Sequence, residues 1–300
     1  MSSDAYGLPE RRIARKRFDA AAATFDAADA VQAEARERLL ERLELFGLEP
    51  RSIVDLGSAT GAASLALARR YPRASVLALD SSAAMSRVLA RKCRDLRSIV
   101  SLQADAHALP LREASVDLVF GNLVLPWTRP ERVLAEIARV LAPGGLVLLT
   151  SLGPDTLVEL RRAWAEVDDR VHVHGFLDMH DLGDLAVRAG LAEPVTDVDR
   201  LRVSYPSLPP LVGDLRATGS SNCAVGRPRG LTGVGRWRAF EAALAARVGT
   251  EGPHVTVELV FAQAWGRARE ATPRPADDGV VRIDPMTLVR AARRRGPRDA

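Results

Sequence analysis

Three hundred residues, 47% of them hydrophobic and with a net charge of +4, can bury one large core or one core with additions. No apolar run is long enough to span a bilayer, two cysteines are too few for a disulfide framework or a zinc site, and an aromatic content of 5% without basic–aromatic interleaving offers nucleic acid no platform. The first residues are polar and hold no apolar segment of the secretory kind, so the expected location is cytoplasmic, with neither membrane nor nucleic acid as a partner.

Residues 1–10 read as a loose leader, and 11–45 carry helical periodicity for two helices ahead of a sheet, with Phe18, Ala22 and Phe25 on one face. Strand signals follow at 52–56, 75–79, 99–103, 116–121 and 146–150, the last entered through the turn Pro143-Gly144-Gly145. Helical segments at 62–70, 83–93 and 130–141 fill the gaps. This alternation predicts an α/β fold with a mostly parallel sheet and helices on both faces. Further on, the pattern predicts a helix over 156–166 capped by Asp155 or Thr156, and another over 180–189 stopped by Gly190. A sixth strand is expected over 195–203, helices over 207–216 and 236–247, and a seventh strand over 254–261. The chain thus divides into a helical cap (1–48), a sheet domain (49–266) with a helical lid insertion at about 207–250, and a basic tail (267–300) expected to be disordered, in which 280–294 could form a short helix on a partner.

The first strand leads through Asp55 into Gly57-Ser58-Ala59-Thr60-Gly61 and then an alanine-rich helix. A strand, a tight loop and a helix start would turn backbone N–H groups toward a ligand at the carboxyl edge of the sheet. The loop lacks the third glycine of a dinucleotide fingerprint and the lysine of a phosphate loop. Asp55 would repel a pyrophosphate and suit a cationic or amino-bearing ligand. Asp80, with Ser81 after it, stands where a carboxylate grips ribose hydroxyls in nucleotide-binding α/β folds, and Asp105-Ala106 is placed for an adenine amino group.

With Asp117–Asn122 and Leu141–Gly145, these segments resemble the class I S-adenosylmethionine-dependent methyltransferases over about residues 50–152. The resemblance implies a Rossmann-like fold of seven strands, with S-adenosyl-L-methionine held by Asp55, Gly57, Ala59, Gly61, Asp80, Ser81, Asp105, Ala106 and Asn122. It departs at Ala59, where the family usually has glycine. Outside this core, Ala14–Gln32, Leu39–Leu43, Gly153–Arg161, His172–Phe176, Asp178–Asp184, Arg227–Gly233 and Ala264-Trp265-Gly266 resemble the malonyl-[acyl-carrier protein] O-methyltransferases of biotin synthesis. That likeness spans about 11–266. It implies a carboxyl O-methyltransferase acting on malonyl-acyl carrier protein, with Gln32 covering the cofactor. Phe25 departs from it, standing where that family often has tyrosine.

Such chemistry needs no general base, because a malonyl carboxylate is already ionised at neutral pH. The protein must orient it and exclude water. Only Lys16 and Lys92 are lysines, so arginine carries nearly all the positive charge, and arginine forks suit carboxylates. Arg161 is the first candidate for holding the substrate carboxylate, with Arg202 and the pair Arg227 and Arg229 as further candidates. Trp127, His172 and His174 are candidates for the acyl pocket wall. His172, His174 and Asp178 also invite a metal reading, but nothing else supports it, and no metal is expected. Arg227, Arg229, Arg236 and Arg238 are expected to dock the acidic carrier. Two other readings stay open. Asp155–Arg161 and Ser221–Ala224 are similar to segments of a mitochondrial complex I assembly factor that hydroxylates an arginine. The chain could also be a scaffold that binds the cofactor without turnover.

Overall fold

A computed structural model describes residues 9–249, 252–267 and Met286. Five parallel strands, β1 (Ser52–Leu56), β2 (Ser75–Asp80), β3 (Ile99–Gln103), β4 (Val116–Gly121) and β5 (Leu141–Leu152), are joined by β6 (Ala192–Ser204) and β7 (His254–Trp265). The order is β3-β2-β1-β4-β5-β7-β6, with β7 antiparallel to both its neighbours. β1 is buried along its whole length, as a parallel strand covered on both faces must be. Its side chains alternate. Val54 and Leu56 pack in a core with α5 (Pro130–Val140) and α7 (Met179–Arg188), while Ile53 faces α2 (Ala30–Arg42) and α3 (Ala62–Arg70). On α5, Val133, Leu134, Ile137 and Val140 recur at helical spacing and are all buried. Parallel strands therefore deliver the ends of β1, β2, β3 and β4 to one edge, where the short loops after them can meet.

Two covers lie over that edge. The first is α1 (Arg11–Ala21), whose Ala21, with Ala22 and Phe25 after it, packs on Met85 of α4 (Ala83–Lys92). The second is built from α6 (Val158–Ala165), α8 (Leu208–Ala217) and α9 (Val234–Val248), which share an apolar core of Leu160, Trp164, Leu208, Leu211, Phe240 and Leu244.

The expected elements are present, with three differences. β5 begins at Leu141, because that residue pairs with Val116 ahead of a register shift; Pro143-Gly144-Gly145 is an irregularity inside the strand. β7 continues to Trp265, paired with β5 to its end. α6 is capped by neither Asp155 nor Thr156. Its N-cap is Leu157, in the left-handed region at φ 55°, with no side-chain cap bond. The expected caps are engaged across the sheet: Thr156 Oγ1 bonds the backbone of Glu258, and Asp155 pairs with Arg200 at 3.0 Å. Apart from Arg267 and Met286, the tail expected to be disordered and the helix expected over 280–294 lie outside the described residues. No described helix is long and apolar enough to cross a membrane.

Candidate active site

The loop after β1 is shaped by two glycines. Gly57 has φ 72°, and a Cβ there would sit 2.7 Å from Val124 Cγ2. Gly61 has φ 92°, and a Cβ would sit 2.0 Å from Leu89 Cδ1. Ala59, between them, also takes positive φ, 45°. The amides of this loop are not free for a ligand as expected. Gly57 and Ser58 donate to the carbonyl of Leu79 at 2.8 and 3.0 Å, Gly61 donates to that of Ser58, and Ala59 donates to Asp80 Oδ2 at 2.9 Å. The loop is strapped to the end of β2, and this holds the Asp80 carboxylate in place. Ser82 N bonds the other Asp80 oxygen at 2.7 Å. Burial pushes the Asp80 pKa up, and the backbone amides pull against that rise.

Asp105, just past β3, is held on both oxygens. His107 donates to Oδ1 from its backbone and from Nδ1, at 3.0 and 2.6 Å, and Arg11 of α1 pairs with Oδ2. His107 Nε2 accepts from Arg129 N at 2.9 Å, which fixes the proton on Nδ1. Burial works to raise the Asp105 pKa, but the His107 amide and ring and the Arg11 charge outweigh it, and the net shift is downward. Asn122, after β4, accepts from Thr150 Oγ1 at 2.7 Å and donates to the carbonyl of Gln32 at 2.9 Å. The first cover is thereby tied to the sheet edge.

Between these groups lies one cavity of about 1080 Å³. Gln32, Gly57, Ala59, Asp80, Ser81, Asp105, Ala106 and Asn122 line one end, and Trp127, His172 and His174 line the rest. Three of the first-named site residues stand outside the lining, as do the further candidates Arg202, Arg227 and Arg229. Asp55 is fully buried behind the loop, accepting a hydrogen bond from Ser64 Oγ; burial raises its pKa to about 7, with Asp80 adding to the rise. Gly61 is turned toward Leu89. Arg161 gives its guanidinium to the carbonyls of Pro154 and Thr156, at 2.8 and 3.1 Å.

Trp127 meets Phe18 of α1 edge-on at 5.1 Å and His174 at 5.2 Å. His174 is 3% exposed, and its Nε2 has no hydrogen-bond partner. Burial lowers its pKa to about 4, helped by the positive charges of Arg161 and Arg17, so the ring is neutral. His172 stacks on Trp164 at 3.7 Å and is held by Asp168 at 2.8 Å. Among the described residues, no group of three or more His, Cys, Asp or Glu is placed to hold a metal.

Of the arginines expected to dock a partner, Arg227 pairs with Glu10, and Arg236 pairs with Asp168 at 3.3 Å. Both are engaged inside the fold, while Arg229 and Arg238 are exposed. Arg11, Phe18, His107 and Phe176 line the cavity without having been expected there. Spacing on α1, with Arg11, Ala14, Arg15 and Phe18 at steps of three and four, is the signal that could have found the first two.

The residues present fit an adenosyl group with a charged sulfur: two fixed carboxylates for hydroxyl and amino groups, a wall of small residues at Gly57 and Ala59, and an apolar remainder. Residues 54–149 match a family described as a methyltransferase domain. The chain is 43% identical over 279 residues to a malonyl-[acyl-carrier protein] O-methyltransferase of Halorhodospira halophila, covering 92% of this chain and 94% of that one. It is 40% identical over 285 residues to the protein of the same name from Methylovorus sp., covering 91% and 95%. Among solved structures, the YcgJ protein of Bacillus subtilis superposes with a TM-score of 0.56 at 16% identity, covering 78% of this chain and all of that one, a likeness of fold alone.

Proposed function

The chain belongs to the malonyl-[acyl-carrier protein] O-methyltransferase family, and from that premise we propose how its cavity esterifies the free carboxylate of a malonyl thioester. The fold is the Rossmann-like class I methyltransferase fold, and the enzyme is an S-adenosyl-L-methionine-dependent carboxyl O-methyltransferase acting on malonyl-acyl carrier protein in biotin synthesis. The observation that carries this is kinship along nearly the whole length of both chains, which includes the covers as well as the cofactor core. It gives no support to an arginine hydroxylase of the assembly-factor kind. A cytoplasmic location suits an enzyme whose two cysteines are both buried free thiols.

When bound, S-adenosyl-L-methionine supplies a methyl group on a positively charged sulfur, which a carboxylate oxygen can attack directly. Such a transfer would exchange a C–S bond for a C–O bond, with the electron pair left on sulfur, and would ask the protein for no proton. The protein's work is therefore placement and exclusion of water. Asp80 and Asp105 hold the nucleoside, with Gly57, Ala59, Ser81 and Ala106 around it. Asp55 and Gly61 act from behind by setting the loop. Asn122, pinned by Thr150 and Gln32, ties the first cover to the cofactor side. Trp127, His172 and His174 wall the acyl end. Arg161, with Arg17, contributes positive potential there while bound to carbonyls, and this favours an anion without a direct ion pair. The segment from α8 to α9 and the N-terminal helices serve as a lid. Arg229 and Arg238 face the acidic carrier, with Arg227 and Arg236 fixing the segment that bears them.

The direct test is incubation with malonyl-acyl carrier protein and S-adenosyl-L-methionine, read by intact-protein mass. The carrier should gain the mass of one methyl group, which leaves with the acyl chain when neutral hydroxylamine cleaves the thioester. A carrier of unchanged mass, with well-folded enzyme present, would overturn the assignment.

A further inference from the structure

α1 opens Arg11-Arg12-Ile13-Ala14-Arg15-Lys16-Arg17, five cations in seven residues with no acidic residue in its first turn. This arrangement works against the helix. Cations at an N-terminus oppose the helix dipole, and like charges at steps of three and four repel, as Arg12 does with Arg15 and Lys16. The basic ends of α3 and α4 lie at their C-termini, where the dipole favours them. Two of the five α1 cations are engaged within the fold, Arg11 with Asp105 and Arg17 with the Asn222 carbonyl. Arg12, Arg15 and Lys16 are exposed and form no ion pair or hydrogen bond among the described residues. Arg12 and Arg15 also line the cavity, so their guanidinium groups stand at its mouth. Three cations that cost helix stability and have no partner among the described residues, two of them lining the cavity, have the chemistry to meet an anion arriving from outside.

We propose that the exposed face of α1, centred on Arg12 and Arg15, docks the acidic carrier protein and the phosphodiester of its thioester arm as the acyl group enters the cavity. This rests on the reading of the chain as a malonyl-carrier methyltransferase. Two features argue for a carrier over a free small acid. The patch lies outside the apolar acyl end, and a malonyl group reaching Trp127 and His174 would leave a long arm crossing the mouth. The patch is also continuous with the segment bearing the other exposed arginines, since Pro9 bridges Ala224 and Glu10 pairs with Arg227.

The test compares wild type with the double variant Arg12→Glu, Arg15→Glu on two substrates, malonyl-acyl carrier protein and malonyl-N-acetylcysteamine, which lacks both protein and phosphate. Charge reversal should lower kcat/KM for the carrier by on the order of tenfold at low salt, with the gap to wild type closing as salt is added, and should cost the small thioester much less. The dipole argument adds a second readout: acidic residues at these positions leave the thermal midpoint equal or higher, so lost carrier use cannot be lost folding. Equal losses on both substrates would reduce α1 to a wall of the cavity and overturn the proposal, as would undiminished use of the carrier. A wild type that methylates neither thioester would instead remove the reading beneath it.

Discussion

His174 has the least ordinary surroundings in the cavity. A ring that is 3% exposed, with an unpartnered Nε2 and two positive charges nearby, carries no charge at neutral pH. Its folded pKa of about 4 lies below the unfolded value, so protonation is resisted until pH falls through both. His174 should therefore add no step to the rate at saturating substrate between about pH 6 and 9, and a step near 7 that survives His174→Gln belongs to Asp55, whose buried carboxyl has its pKa raised to about 7. A pH–rate profile with an apparent pKa of 6 to 7 that vanishes in His174→Gln would show that the ring titrates during turnover. His172, two residues away, is fixed differently, by stacking on Trp164 and by Asp168.

At the scale of elements, the loop between β1 and α3 decides how closely the backbone approaches the cofactor. Ala59 holds φ 45°, a conformation that costs an L-residue roughly 1 kcal/mol or more, so Ala59→Gly relieves strain in the folded state while adding freedom to the unfolded one. Thermal stability should change little, and titration calorimetry should show equal or tighter cofactor binding. Clearly weaker binding would mean that the methyl group is a contact in its own right. By contrast, Gly61→Ala meets both a positive φ and Leu89 Cδ1 at 2.0 Å, and should lower the thermal midpoint by several degrees, measured by calorimetry.

These elements were legible in the sequence, because buried parallel strands are apolar runs and the loop between them announces itself by glycine. The acidic residues ending β2 and the segment after β3 were legible for the same reason, their positions following from strand length. What the chain alone did not reveal were side-chain pairings between distant segments. Asp155 and Thr156 have the composition of a helix cap, yet Arg200 takes the Asp155 carboxylate and the Glu258 backbone, about a hundred residues later, takes the Thr156 hydroxyl. Arg161, Arg227 and Arg236 look free in sequence and are each engaged by a distant or backbone partner. Such competition between partners depends on tertiary distance, which no local pattern encodes.

At the scale of the molecule, the two covers are bonded to each other as well as to the sheet. Glu10 pairs with Arg227 and its amide reaches the Cys223 carbonyl, Arg17 donates to the Asn222 carbonyl, Thr24 Oγ1 to that of Ala217 at 2.8 Å, and Gln32 Nε2 reaches Ser220 Oγ at 3.4 Å. Loosening this seam with Glu10→Gln should speed amide exchange in α1, leave exchange in β1 and β4 unchanged, and raise the rate of S-adenosylhomocysteine release, followed by stopped-flow fluorescence of Trp127. Unaltered α1 exchange would show that the seam closes without that pair.

The undivided cavity has a further consequence for traffic. On the proposed reading, donor and acceptor share a single room under one roof, so that room is reset for the next turnover only when both the spent thioether and the fresh ester have gone. A lingering by-product would leave the next malonyl arm facing a neutral sulfur in place of a charged methyl donor.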